Sequence, residues 1–274
     1  MNSIKILPVI VLYNSKLQDQ LTYKSILKDK RWNNFVVYDN SSLDICNTYI
    51  QDDRAIYYRD KRNSGLSAAY NYAAIVSKKF NYNWLLILDQ DTLFPENAYY
   101  EYLHAIETHP CINLFVPNIE LSNGTPFSPS KKYFMNIRGV KLDVGIYNLN
   151  DYMPVNSGIC VNIKEFQKCG GYNEKIHLDF TDYNFIDRFK KYNAIFCVIN
   201  ITALQSFSNE EKKTSILIMR FKQYTSDTYN YIKTLDFISK IKVIVLFVKH
   251  TTALTIRTKN ACFYTYIIKK IIKK

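Results

Sequence analysis

Residues Trp84-Leu85-Leu86-Ile87-Leu88-Asp89-Gln90-Asp91-Thr92 set a continuous apolar run directly before two carboxylates. Five apolar residues without a polar break fit a strand buried on both faces, as in a parallel sheet covered by helices on each side. Side chains alternate along a strand, so Asp89 and Asp91 share one face if the chain stays extended. Two acids at the C-terminal end of a buried strand suit a hard divalent cation, which takes oxygen ligands and usually holds substrate phosphates. In open α/β sheets ligands collect at that end of the strands.

The first 110 residues support such a sheet. Val9–Leu12, Phe35–Tyr38 and Ala55–Tyr58 read as strands, residues 17–28 as helical, and Ser64–Lys79 as a helix with Ala68, Ala69, Tyr72, Ala73 and Val76 on one face. A helix over Pro95–Thr108 follows the opening run. This alternation predicts a mostly parallel, doubly wound sheet. Further on, Leu114–Val116, Gly158–Val161 and Ile195–Ile201 read as strands. Lys164–Cys169 reads as a helix closed by Gly170-Gly171, and Asp179–Tyr192 as another helix. The polar stretch 122–132 reads as a mobile loop.

Charge divides the chain. Residues 212–274 hold 14 Lys and Arg against Asp227 and Asp236, whereas residues 1–211 hold 22 of each sign. The expected organisation is therefore a domain over 1–211 and a basic, helical extension over 212–274. A neutral body argues against nucleic acid, and a basic tail points to an anionic membrane surface. The last helix is amphipathic, with Tyr264, Ile267, Ile268, Ile271 and Ile272 on one side and Lys269, Lys270, Lys273 and Lys274 on the other. That form suits a bilayer interface or docking on the body.

Cys46, Cys111, Cys160, Cys169, Cys197 and Cys262 show no metal or disulfide spacing, which fits a cytoplasmic protein. The four His form no zinc motif. The Ile4–Leu12 run lacks a small-residue cleavage site, so no signal peptide is expected. Val243–Val248 is far short of a spanning helix.

The turns Leu12-Tyr13-Asn14, Asp39-Asn40, Asn63-Ser64-Gly65 and Asp89-Gln90-Asp91 should meet at one sheet edge. An acid after the second strand can accept from a base ring or ribose, or simply cap its own turn. Together with Asn71, Asn156-Ser157-Gly158, Gly170-Gly171-Tyr172, and Asp179-Phe180-Thr181-Asp182 with Arg188, these residues resemble the inverting, family-two type glycosyltransferases of the GT-A fold. Within them they resemble the rhamnosyltransferase-like members. The resemblance spans about residues 4–208.

The resemblance implies roles. Leu12, Tyr13, Asn14 and Asp39 would line the nucleoside pocket, with Asn63 and Gly65 beside it. Asp89 and Gln90 would face the ribose and diphosphate, and Asp91 would ligate Mg²⁺ or Mn²⁺. In such enzymes the general base lies six residues before a helix arginine. Arg188 therefore selects Asp182, with Asp179 as a neighbour that binds acceptor or tunes the base. Either acid could instead only cap the helix. Many relatives carry His near Leu204–Ser208, where this chain has Gln205, a neutral and weaker ligand. The Gln-x-x-Arg-Trp motif and spanning helices of processive synthases are missing, which points to single-sugar transfer. The implied partners are a nucleoside-diphosphate sugar and a glycan or lipid-linked acceptor, with the enzyme peripheral on the inner membrane face. A nucleotidyltransferase would normally show a Gly-rich basic loop after the first strand, where only Tyr13-Asn14-Ser15-Lys16 stands. A non-catalytic binding module would not need both Asp91 and Asp182.

Overall fold

The structure, a computed structural model, describes residues 3–42, 50, 52–132, 137–206 and 214–272. Cys46, Phe207, Ser208, Lys273, Lys274 and the side chains of Ile271 and Ile272 lie outside the described residues.

The chain opens with β1 (Ile6–Leu12), β2 (Phe35–Asp39), β3 (Ala55–Arg59), α1 (Gly65–Lys79), β4 (Trp84–Asp89), β5 (Thr92–Leu93) and α2 (Ala98–Thr108). There follow β6 (Leu114–Leu121), β7 (Pro126–Ser128), β8 (Ser130–Lys132), β9 (Ile137–Gly139), β10 (Gly145–Asn148), β11 (Tyr152–Met153) and β12 (Cys160–Asn162). The last elements are α3 (Ile163–Lys168), α4 (Thr181–Phe189), β13 (Ile195–Gln205), α5 (Thr214–Ile232), α6 (Phe237–Thr258) and α7 (Cys262–Ile272).

The main sheet runs β10-β13-β6-β12-β4-β1-β2-β3. Strands β4, β1, β2 and β3 are parallel, as the alternation predicted. Strand β12 lies antiparallel between β4 and β6, so the sheet is mixed in its second half. The apolar runs are explained by two cores, one on each face. Leu7, Val9 and Val11 of β1 and Leu85 and Ile87 of β4 meet α1, α3 and α4. Ile6, Ile10, Leu12, Trp84, Leu86 and Leu88 meet Trp32 and α2 on the other side. Every position of such a strand is buried, so none can be polar until the strand ends.

Residues 17–28 are helical in two short pieces, a 3₁₀ turn over Leu17–Asp19 and a π-helix over Tyr23–Leu27. Two local expectations are corrected. The stretch 122–132 is not a loop throughout. It carries β7, which pairs with β6, and β8, which pairs with β9 and β11. The β6–β7 pairing is a local hairpin turning at Asn123-Gly124, a signal the loop reading passed over, whereas the β8–β11 pairing joins segments some twenty residues apart. The strands at 114 and 195 run on to Leu121 and Gln205, which carries Gln205 to the sheet edge.

The chain forms two compact units, residues 1–174 with 181–208, and residues 175–180 with 209–274. In the second, α5, α6 and α7 enclose Phe221, Leu254 and Phe263, with Phe247, Tyr266 and Ile267 packed around them. Phe263, absent from the expected apolar face of the last helix, is fully buried, while Ile268 is exposed. The stripe that docks is therefore rotated from the one expected. Among the described residues no helix is long and apolar enough to cross a membrane.

Candidate active site

Hydrogen bonds tie the four turns into one chain along the sheet edge. Asn40 N donates to Leu12 O at 2.9 Å, and Asp60 N to Asp39 O at 2.9 Å. Asn14 N donates to Ser41 Oγ at 2.9 Å, while Asn14 Oδ1 accepts from Ser42 N at 3.0 Å. Gln90 Oε1 accepts from Tyr13 N at 3.1 Å and from Ser15 Oγ at 2.9 Å. Asn14 and Asn63 both adopt left-handed backbone, with φ of 50° and 51°. Asn tolerates that region better than other side chains, which is why it serves at these two corners.

The predicted nucleoside residues are brought together but differ in what they offer. Tyr13 and Asn63 are exposed, and Asn14 and Gly65 are partly so. Leu12 is buried in the core, so it lends the turn only its backbone. Asp39 is fully buried. Its Oδ1 accepts from Ser41 N and its Oδ2 from Tyr57 Oη, each at 2.9 Å. Gln90, read as substrate-facing, uses its side-chain oxygen to clamp the turn after β1.

Asp60 organises the Asn63-Ser64-Gly65 turn. It accepts from Arg62 N, Ser64 N and Tyr38 Oη, each at 2.9 Å. Those bonds outweigh the burial that opposes them and hold its carboxyl down to about 2.

The acidic centre lies at the end of β4. The alternation that sends Leu85 and Ile87 toward α1 and α4 sends Asp89 the same way. The strand stops there, and Gln90 and Asp91 form a turn, so the two acids do not share an extended face. Buried Thr22 pins the turn, accepting from Thr92 N at 3.2 Å and donating to Thr92 O at 2.8 Å and to Asp89 O. Ser157 Oγ accepts from Asp89 N at 3.2 Å and lies 2.9 Å from the Thr92 hydroxyl.

Burial first, then the charges of Asp91 and Asp182, push the Asp89 carboxyl up to about 7. The neighbouring Tyr70 hydroxyl opposes the shift, although it is buried and falls short of hydrogen-bond geometry. Tyr70 is raised far above its ordinary value, by burial and then by Asp89, Tyr172 and Asp182. These couplings place Asp182, in the first turn of α4, on the same side as Asp89. Asp182 is half-buried and its Oδ1 accepts from Tyr183 N at 2.8 Å. Beneath it, Tyr172 stacks on Phe185 at 4.4 Å and donates to Asn156 Oδ1 at 2.7 Å. Asn156 Nδ2 in turn donates to Thr181 Oγ1 at 3.0 Å. Arg188 does not reach toward the acids: its Nη1 donates to Cys169 O at 2.9 Å, fastening α4 to the end of α3.

Asp179 belongs to the other unit. It forms a two-point pair with Arg220, at 2.7 and 3.0 Å. Burial still raises its carboxyl, with Arg220 opposing. Buried Asp227 accepts from the backbone N–H groups of His177, Leu178 and Asp179 at 2.9 to 3.1 Å, so the 175–180 segment is held by α5. Phe180, with φ 64°, ends that segment and stacks on Tyr231 at 5.1 Å.

For a cation, Asp91 is the accessible carboxylate. Gln205 Nε2 donates to its Oδ1 at 2.5 Å and Gln205 Oε1 accepts from Thr92 Oγ1 at 2.5 Å. Gln205 therefore steadies Asp91 and does not itself turn an oxygen toward a metal. Among the described residues no group of three His, Cys, Asp or Glu forms a metal cage. A half-buried carboxylate at a strand end fits Mg²⁺ or Mn²⁺, ions that a protein can hold with one or two carboxylates while phosphates and water complete the shell.

Residues that sequence reasoning did not single out are Thr22, Asp60, Tyr70, Arg220 and Asp227. Asp227 carried one signal, being one of only two acids in the basic tail. Ser157 stood among the residues of the resemblance without a role.

Solved structures share this arrangement of sheet and helices. GalNAc-T7, determined with UDP, GalNAc and Mn²⁺, is similar at a TM-score of 0.57 and 14% identity, over 76% of this chain and 45% of that one. The chain thus spans less than half of that relative's length. Residues 1–349 of S. aureus TarS are similar at a TM-score of 0.51 and 15% identity, over 89% of this chain and 71% of that one. At such identities the likeness is one of fold. No curated protein sequence matches the chain. The family model described as glycosyl transferase family 2 matches residues 9–212, which takes in every turn of the sheet edge together with Asp182 and Gln205. The chain belongs to glycosyl transferase family 2.

Proposed function

We propose that the chain moves a single sugar from a nucleoside diphosphate to a glycan or lipid-linked acceptor, with inversion, in assembly of a surface polysaccharide. Rhamnose from a dTDP donor is the sugar that the sequence resemblance favours. The observation that carries the reading is that the face of β4 ending in Asp89 packs against α4, the helix whose first turn holds Asp182, with Asp91 in the turn that follows the strand. The basic C-terminal helices would hold the enzyme at an anionic membrane face, on its cytoplasmic side.

In this reading Asp182 takes the proton of the acceptor hydroxyl as that oxygen attacks the anomeric carbon. The bond from that carbon to the diphosphate breaks, and the diphosphate leaves with the electron pair. Asp91 would hold Mg²⁺ or Mn²⁺, which would supply charge neutralisation for the departing diphosphate. Tyr13, Asn14, Asn63 and Gly65 offer the exposed edge of the nucleoside pocket, with Asp39 shaping it from beneath. Asp89 faces the ribose and diphosphate side.

Thermal-shift measurements against UDP-, GDP- and dTDP-sugars, with and without Mg²⁺ or Mn²⁺, test the proposal. A ligand that binds only the folded state at a hundred times its Kd adds about 2.7 kcal/mol of apparent stability. The matching donor should raise Tm most, and more so with the cation. If no nucleotide sugar moves Tm under either condition, the reading fails.

A further inference from the structure

Helix α6 has 22 residues, about 33 Å at 1.5 Å per residue. It carries two apolar faces. One, with Phe247 and Leu254, closes on Phe221 and Phe263 in the core of its own unit. The other carries Phe237, Ile241, Ile244 and Val248 at helical spacing, with Ile238 alongside, and all five are exposed. Phe237 is 76% exposed and Ile238 62%. A contiguous apolar stripe left open to solvent marks a contact surface.

The charges beside the stripe say what covers it. On a helical projection Lys240 flanks one side and Lys242 and Lys249 the other, and α6 contains no Asp or Glu. Long cationic side chains beside an apolar stripe can lie along it and lift their charge toward lipid headgroups. Pairing with a second copy would instead bring two acid-free, basic helices together. We propose that α6 is the membrane-contact helix, its Phe237–Val248 stripe sunk into the interface of an anionic bilayer and its lysines at the headgroups.

The inference rests on the reading that the basic tail meets a membrane, and it moves the contact from α7 to α6. Helix α7 spends Phe263, Tyr266 and Ile267 on the unit's core. Deleting α7 would damage that core, so surface substitutions in the full chain are the proper test.

The full-length protein is sedimented with phosphatidylcholine vesicles and with vesicles that also contain phosphatidylglycerol. The wild type should bind only the mixed vesicles. Ile241→Ser with Ile244→Ser should weaken partitioning about tenfold, and Lys242→Gln with Lys249→Gln about thirtyfold, both with unchanged thermal melting. Unchanged binding of the isoleucine variant overturns the role of α6 while leaving a membrane-bound tail. Failure of the wild type to bind mixed vesicles overturns both. A wild-type dimer that the isoleucine variant splits, seen by sedimentation velocity, also overturns the proposal, because a second copy then covers the stripe. Transfer to a soluble acceptor, assayed in parallel, separates these results from the proposed sugar chemistry.

Discussion

Gln205 donates to Asp91 at 2.5 Å, joining residues 114 positions apart where β13 pairs with β5. A charge-assisted bond of this kind is worth more than a neutral one, and breaking it strands a half-buried carboxylate. Gln205→Leu should cost about 2 kcal/mol in urea unfolding. It should also loosen the cation requirement of donor binding, seen as a smaller Mn²⁺-dependent rise in Tm. Equal stability and equal cation response would show that Gln205 is a bystander.

Asp182→Asn keeps the shape of the first turn of α4 and removes the carboxylate proposed as proton acceptor. Transfer should fall about 10²- to 10⁴-fold, the usual contribution of a general base. Donor-induced thermal shifts should be unchanged. Full activity in this variant would remove Asp182 from the mechanism.

The Asp60 carboxyl sits at about 2 when folded, below its ordinary 3.8. Its contribution to stability is therefore complete above about pH 4 and is lost as the pH falls through about 2. The shift corresponds to about 2 kcal/mol. Asp60→Asn should lower stability by that order at neutral pH and flatten the acid limb of the urea midpoint between pH 4 and 2. An acid limb identical to the wild type's would contradict the assignment.

Asp227 holds three backbone N–H groups of the 175–180 segment while fully buried. Asp227→Asn leaves one acceptor oxygen in place of two. Amide exchange at His177, Leu178 and Asp179 should quicken about ten- to a hundredfold, while exchange in β1 and β4 stays as it was. Uniform quickening across the chain would instead mean global destabilisation.

Much of the sheet was legible because its burial is two-sided. Val9–Leu12 and Trp84–Leu88 have no polar position, and only a covered parallel strand requires that. The turn residues were legible through their own chemistry, since Asn14 and Asn63 mark left-handed corners. What escaped has several causes. The strand at 126–128 forms a hairpin with β6 across Asn123-Gly124, a turn signal read only as loop, while the strand at 130–132 also depends on pairing with residues 152–153. The expected common face for Asp89 and Asp91 assumed a strand that the Thr22 hydroxyl in fact ends. The docking stripe of the last helix was misplaced by about one side chain because Phe263 meets Phe221, a contact made 42 positions away that periodicity alone does not contain.

The grouping of Lys175–Phe180 with the C-terminal helices means that the tail is not a detachable module. A fragment cut after β13 would keep the whole sheet edge and every acid around Asp89. It would lose the Asp227 carboxylate that fastens the strap entering α4, two residues ahead of Asp182. Ending the chain before α5 would therefore release the 175–180 segment from its carboxylate anchor even though every strand of the main sheet is still present.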